Sequence, residues 1–559
     1  MTIIARFFAT LPFFPALLST LPLSAADYVV VDLGTIQQAS SDACAVNSRN
    51  QVLGVIGSCG SAAGAATATF FWDKGVFTPL PLSSITRHSL NNAGQIVGLR
   101  SISCGFSCSR MDGFVWQNGT LTDLGAIIPV AINDAGQVAG DGARHALFWQ
   151  NGTITDLGEL VPGGSSTALA INGSGQVTGS AETSTGPHAF FWSGGGLIDI
   201  GTFPGTLGSY PVAINDAGQV TGYSYYYDSA NNLIFRAFSW TETAGMKDLG
   251  YLGGMVGSTS PTALNNSGQI VGWSYLFGNV GAAHPFLWQN GTLSDLGTLD
   301  GSFALATDIN SSGQVSGWGP LPPVPPESFH TSRAITWQEG QQIELGTLGG
   351  SNARANAITD SGVIVGHSDT ADATHAALWV RDTAPVADAS ATKTLLISPN
   401  NVSAAVTLDA TRSTDPDGDP LTYKWYIKSN DPNTPFAEGA TYPATLAVGS
   451  WQFELDVNDG WLTASTTVTI TVITAAQAVA NLVSQVGAAD LPNGITNTLI
   501  GDLNAAASSF NRGSFKSGVN QLQQFTYDVN AQSGKKIDPA TANTLIAAAQ
   551  AIINTVAGA

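Results

Sequence analysis

Short runs in which apolar and polar residues alternate fill most of the chain, and one such segment keeps returning. Ile132–Gly140 reads INDAGQVAG, and it recurs as LNNAGQIVG, INGSGQVTG, INDAGQVTG, LNNSGQIVG and INSSGQVSG. VNSRNQVLG near the start and ITDSGVIVG further on are weaker copies. Their leading polar residues are Asn47, Asn91, Asn133, Asn172, Asn215, Asn265, Asn310 and Thr359, at steps of 44, 42, 39, 43, 50, 45 and 49. A repeat of roughly 45 residues built from strand-length alternation is that of a four-stranded propeller blade.

The third unit shows the pattern. Val130–Asn133 reads as a first strand, Asp134-Ala135-Gly136 as a turn, and Gln137–Gly140 as a second strand. His145–Gln150 forms a third strand ending near Phe148-Trp149, and Thr153–Gly158 a fourth. Asn151-Gly152 joins these two, since both residues accept the positive φ of a type I′ hairpin. The eighth unit stops at Trp379 without an Asp-Leu-Gly strand, while a spare one, Val29–Gly34, precedes the first unit. If that strand completes the last unit, eight blades close into a ring with no exposed sheet edge. The fold class expected is therefore mainly β, with an eight-bladed β-propeller as its largest part.

Beyond residue 383 the pattern changes. Short alternating strands predict an immunoglobulin-like β-sandwich over 383–473. From Thr474 the period becomes helical: Val519, Leu522, Phe525 and Val529 share one face, and Leu545, Ile546, Ala549, Ile552, Ile553 and Val556 another. Asp538-Pro539 is an N-cap followed by a first-turn proline. A small helical bundle over 474–559 is expected.

Composition narrows the function. Lys and Arg number 20 against 40 Asp and Glu, a net charge of −20, and only 11% of residues are charged. That balance argues against nucleic acid and anionic lipid as partners. Residues 1–26 read as a secretory signal: Arg6, a proline-broken apolar run from Phe7 to Leu23, then Ser24 and Ala26 at a cleavage site. No later stretch is apolar enough for a membrane span, so a secreted or cell-surface location is expected. In an oxidising compartment the even number of cysteines predicts disulfides, preferably Cys44–Cys59 and Cys104–Cys108, each within one repeat unit.

The pattern N-x-x-G-Q-[VI]-x-G, followed by His188-Ala189-Phe190 and its variants at His145, His284 and His375, and then by Asp-Leu-Gly, resembles the bacterial extracellular HAF repeat family over 27–382. Arg236 replaces the histidine in the fifth unit, and Asn50 replaces glycine in the first. The resemblance implies export and no defined activity. Leu408–Trp425, LDATRSTDPDGDPLTYKW, is similar to a PKD-type domain, although Arg412 stands at the family's usual glycine. FTYDVNAQSGKKID and LIAAAQAII are similar to the FIMAH domain, a helical accessory module.

Candidate chemistry is sparse. The histidines and the Asp residues of Asp-Leu-Gly recur at equivalent positions, which is the mark of structural groups. No nucleophile elbow, zincin or Walker motif is present, so no catalytic residue is assigned. Asp415, Asp417 and Asp419 stand at steps of two, as oxygen ligands of Ca²⁺ often do, but the EF-hand glutamate is lacking. A PKD-type turn without metal is the preferred reading. The PKD resemblance leaves Ca²⁺ as the one cofactor to consider.

Loops away from the tight Asn-x-x-Gly and Asn-Gly turns vary in length, and such loops on a rigid scaffold usually carry function. They hold Tyr223, Tyr225, Tyr226 and Tyr227, then Trp273, Tyr275 and Phe277, then Trp318 with Pro320–Pro326. Flat rings with polar edges suit stacking on a sugar or an extended polymer. The reading is an exported, non-enzymatic binding or surface-associated protein, with extracellular carbohydrate or cell-surface polymer as partner. The alternatives are a carbohydrate-active propeller enzyme, either hydrolase or lyase, marked by a polar residue in one blade that breaks the repeat pattern at the funnel, and a purely structural surface protein.

Overall fold

The computed structural model describes residues 28–35, 39–59, 68–83, 85–103, 109–253, 257–276, 282–321, 331–428 and 434–558. The signal-like segment 1–26, Cys104, Cys108, Phe277 and the proline run from 322 onward lie outside them. Two compact units divide the chain, Met1–Arg381 and Asp382–Ala559.

The first unit is a β-propeller fold of antiparallel sheets, seven with four strands and one with three among the described residues. In the third repeat the strands are Ile128–Ile132, Val138–Asp141, Ala146–Gln150 and Thr153–Asp156, paired in that order. Asn151 and Gly152 both have positive φ, 49° and 83°, as the hairpin turn requires. Each repeated asparagine ties its own turn and the next sheet together. Asn133 Oδ1 accepts from the backbone N–H of Ala135 (3.1 Å) and Gln137 (3.0 Å), while its Nδ2 donates to the Asn172 carbonyl (2.9 Å). The same bond runs from Asn47 to Asn91, from Asn91 to Asn133, and onward until Asn310 reaches Thr359.

The glycine that closes each motif has a packing cause. Inner strands carry a β-bulge two positions before their last apolar residue, as between Pro211 and Ala213. There the inner strand presses on its neighbour: a Cβ on Gly222 would collide with the Tyr210 carbonyl. Gly179, Gly272, Gly317 and Gly366 face the carbonyl twelve residues earlier in the same way.

The strand Tyr28–Gly34 pairs antiparallel with Thr374–Arg381 and completes the sheet that also holds Ala353–Ile358 and Ile364–Asp369. Its junction with the first repeat copies the joints between consecutive repeats. Ser41 Oγ donates to the Gly34 carbonyl (2.7 Å) and accepts from Ala376 N (2.8 Å). Ser166 does this with Gly158 and Ala146, and Ser209 with Gly201 and Ala189. One repeat departs. Before Asn91 the inner strand is replaced by a turn over Thr86–Ser89, where Thr86 N donates to Ser89 Oγ (2.8 Å) and Ser89 N to the Thr86 carbonyl (3.2 Å).

In the second unit a three-stranded and a five-stranded sheet share a core around the fully buried Trp425, Phe453, Leu455 and Ile470. The long strand Thr463–Thr474 runs straight into α1 (Ala475–Ala488), capped by a reciprocal Thr474–Gln477 box. Helices α2 (Asn493–Asn511), α3 (Phe515–Gln532) and α4 (Pro539–Ala557) follow, and Asp538 caps α4 as its sequence predicts. Leu522, Phe525 and Val529 meet Leu545, Ala549, Ile552 and Ile553 in one apolar core, against which Ile397 and Ile473 also pack. No described helix is long and apolar enough to cross a membrane.

Candidate functional site

Six rings form a continuous strip across two neighbouring sheets. The strand Val220–Tyr227 places Tyr223 and Tyr225 on one sheet face, because side chains alternate along a strand. Tyr210, on the adjacent inner strand, lies 6.0 Å from Tyr223 and stacks on Tyr225 at 5.8 Å with 26° between planes. Phe235 meets Tyr223 edge-on at 4.9 Å and Trp273 of the next sheet at 6.4 Å, and Trp273 meets Tyr275 at 5.2 Å. All six are half-buried, so each is held on one side and open on the other. Burial first, and then the neighbouring tyrosines, push the Tyr223 and Tyr225 hydroxyls above their ordinary range, which keeps them neutral hydrogen-bonding groups.

Of the aromatic residues singled out from sequence, Tyr223, Tyr225, Trp273 and Tyr275 therefore come together. Tyr227 stands 53% exposed at the strand end. Trp318 belongs elsewhere: Arg354 lies over its ring at 3.8 Å and Phe303 meets it edge-on at 5.6 Å. Tyr210 and Phe235 were not anticipated. Their signal was weak, one aromatic each within otherwise ordinary strands.

The repeated histidines are structural stitches. His145, His188, His284 and His375 bond through Nδ1 to Asp156, Asp199, Asp295 and Asp32, at 2.8–3.1 Å. Each aspartate also accepts from the N–H of the glycine two residues on, at 2.7–2.8 Å. Arg236–Asp248 and Arg333–Glu344 replace the pair in two repeats, so these positions share a side-chain N–H donor to the carboxylate rather than an imidazole as such.

A second polar group breaks the repeat. Two residues before the turn asparagine, six of eight units have Ala, one has Ser89 and one has Asp308. Four residues before it, seven have Ala or Pro and one has Arg87. The turn at Thr86–Ser89 sends Arg87 towards the sixth and seventh repeats, where Nη2 donates to the Thr262 carbonyl (2.6 Å) and Nη1 to that of Thr307 (3.4 Å). Its Nε donates to His88 Nε2 (3.2 Å). Burial and the Arg87 charge push the His88 imidazole down to about 3, so it is neutral and acts as an acceptor. Asp308 accepts from Ile309 N (2.9 Å) and Ile358 N (3.1 Å), and burial raises its carboxyl against the attraction of Arg87. The three residues line a cavity of about 260 Å³ whose other walls are Ala and branched aliphatic side chains.

Asp415, Asp417 and Asp419 stand in one turn: Asp415 Oδ1 accepts from the N–H groups of Asp417 and Asp419, both at 2.9 Å. Asp417 Oδ2 accepts from Thr383 N (2.8 Å). Two further carboxylates join them, Asp382 (7% exposed) and Asp459 (4% exposed). Burial first, then the charges of Asp459, Asp419, Asp417 and Asp415, push Asp382 up to about 6. Among the described residues no three carboxylate, imidazole or thiolate groups gather closely enough to hold a metal ion. The donors have the chemistry of a Ca²⁺ site, and among the described residues Asp382 Oδ1 and Oδ2, Asp415 Oδ2 and Asp459 Oδ2 are buried with no hydrogen-bond partner. Cys44 and Cys59 form a disulfide.

A FIMAH domain model matches residues 476–554. Among curated proteins none matches the chain. Similar solved structures include the β-propeller domain of the Trilobed protease from Pyrococcus furiosus, 10% identical with a TM-score of 0.36 over 56% of this chain and 97% of that one. Acylaminoacyl peptidase from Pyrococcus horikoshii is 10% identical with a TM-score of 0.33, over 66% of this chain and 62% of that one. A gluconolactonase from Xanthomonas campestris is 9% identical with a TM-score of 0.23, over 44% and 81%. Likenesses of this size carry no statement about activity.

Proposed function

We propose that this chain is an exported, non-catalytic binding protein. In this reading residues 27–382 form an eight-bladed ring of HAF-type repeats, 383–473 a PKD-type immunoglobulin-like spacer, and 474–559 a FIMAH-type tail. The ring presents an aromatic face to a neutral carbohydrate or similar extracellular polymer. The observation that carries the reading is the six-ring strip from Tyr210 to Tyr275, held by its sheets and open on one side. Preformed rings spend little conformational entropy on binding, and their faces match the apolar faces of sugar rings. The net charge of −20 favours an uncharged polymer over an anionic one.

The break at Arg87, His88 and Asp308 is the specific observation in favour of a carbohydrate-active enzyme. Glycoside hydrolysis, however, generally needs two carboxylates flanking the scissile bond. Asp308 is the single carboxylate among the residues lining the cavity. The binding reading is therefore the better one. Its test is retention of the full secreted chain on cellulose, chitin, xylan and mannan. Retention on at least one without release of reducing sugar supports binding. Sugar release that Asp308→Asn abolishes would favour the enzyme, and retention on none would overturn the polymer reading.

A further inference from the structure

The channel group differs from the aromatic strip in everything that selects a ligand. The strip is open and neutral. The cavity is small and is lined by one basic and one acidic side chain. Its walls are the small side chains two positions before the turn, such as Ala170, Ala213 and Ala263, and the apolar ones next to it, such as Ile171, Ile214 and Leu264. The volume of about 260 Å³ is several times the roughly 30 Å³ taken by a water molecule, yet below the range usual for large ligands.

The partners of the two charged groups leave capacity unused. Arg87 has five N–H donors, and the bonds to Thr262, Thr307 and His88 engage one at each nitrogen. Asp308 accepts one backbone N–H at each oxygen, and each oxygen has a second lone pair. All of these partners are neutral; among the described residues Arg87 and Asp308 attract one another across the cavity, while Asp360 repels Asp308. Arg87 keeps its side chain exposed although protein encircles it. A plain anion would meet repulsion from Asp308, and a plain cation from Arg87. A molecule bearing both charges at short separation satisfies both.

We propose that this cavity binds a small zwitterion with an apolar side group, of the α-amino acid class. The carboxylate faces Arg87, the ammonium faces Asp308, and the side group lies against the alanine and isoleucine walls. His88 is a positioning residue that orients the guanidinium through its Nε. The site is independent of polymer binding at the strip.

Calorimetric titration of the full chain with L-leucine, 4-methylpentanoate and isoamylamine tests this directly. Leucine should bind, and each analogue, which lacks one of the charges, should bind at least about tenfold more weakly. Arg87→Gln and Asp308→Asn should each weaken leucine binding at least about tenfold. Ala213→Leu, which fills the cavity and leaves both charges in place, should abolish it. Lack of leucine binding at about 10 mM, equal binding of the three probes, or leucine binding unaltered by Ala213→Leu would each overturn the proposal. The first two readouts use the unaltered protein, so they hold even if a variant fails to fold.

Discussion

His88 is neutral in the folded chain because burial disfavours its charged form and because protonation would place a second positive charge beside Arg87. Its folded value of about 3 lies below the ordinary 6.5, so the unfolded chain binds the proton more readily. The stability tied to this group is complete above pH 6.5 and is lost as pH falls towards 3, by at most about 1.4 kcal/mol per pH unit. His88→Gln, which keeps an acceptor for Arg87 and cannot titrate, should flatten the fall in melting temperature between pH 6.5 and 4. Asp382 has the opposite sign. Its carboxyl is raised to about 6, so its favourable contribution is present below pH 3.8 and is lost as pH rises through 6. Asp382→Asn should therefore raise stability at pH 7, on the order of 1–3 kcal/mol, with the gain vanishing near pH 4. Calorimetric unfolding across that range checks both. Gly222→Ala should cost at least about 2 kcal/mol, since its Cβ meets the Tyr210 carbonyl, against about 1 kcal/mol for Gly291→Ala at an open turn. At this scale the sequence was most informative where a residue repeats: Asn133 and its equivalents announced a turn, whereas the close approach at Gly222 shows only when the strands are packed. Arg87 and Asp308 escaped notice because each occurs once, at a register position visible only after the repeats are aligned on their asparagines.

Strands and hairpins were legible because two local rules coincide in them, alternation along the strand and positive φ at Asn-Gly. Thr153–Asp156 and its relatives sit where the turn chemistry puts them. The turn at Thr86–Ser89 was not legible, since Asn91 carries the full motif while the residues before it have lost the apolar pattern of an inner strand. The strand Tyr28–Gly34 was inferred from a shortage elsewhere, the eighth repeat's missing fourth strand. It pairs with Thr374–Arg381, and Tyr28 Oη accepts from Gln314 Nε2 (2.7 Å) in the preceding sheet. Removing residues 27–36 should uncover a sheet edge, break the Ser41–Gly34 and His375–Asp32 bonds, and turn one cooperative unfolding transition into a broader one at lower temperature. An unchanged transition would show that the ring does not depend on this closure.

For the whole molecule, the repeats explain why little chemistry could be read from the chain. Selection for a repeated scaffold fills equivalent positions alike, so His145, His188, His284 and His375 are accounted for by one stitch. In the proposed reading, function sits where repeats diverge, on the strip from Tyr210 to Tyr275 and in the channel. Four of the six rings were visible as a cluster of aromatic residues after the closing glycines. Its continuity was not, because Tyr210 and Phe235 join it only when neighbouring strands are in register. The most direct measurement of the central claim is a binding isotherm of the full chain on whichever polysaccharide retains it, repeated for Tyr225→Ala/Trp273→Ala and for Tyr527→Ala. Tyr527 is an exposed ring on α3, far in sequence from the strip, and serves as the control. Stacking contributes roughly 0.5–1.5 kcal/mol per ring pair, so the double variant should bind about tenfold or more weakly with its fold intact, and Tyr527→Ala should bind as the parent does. Full affinity in a folded Tyr225→Ala/Trp273→Ala chain would contradict the assignment of the strip as the ligand face.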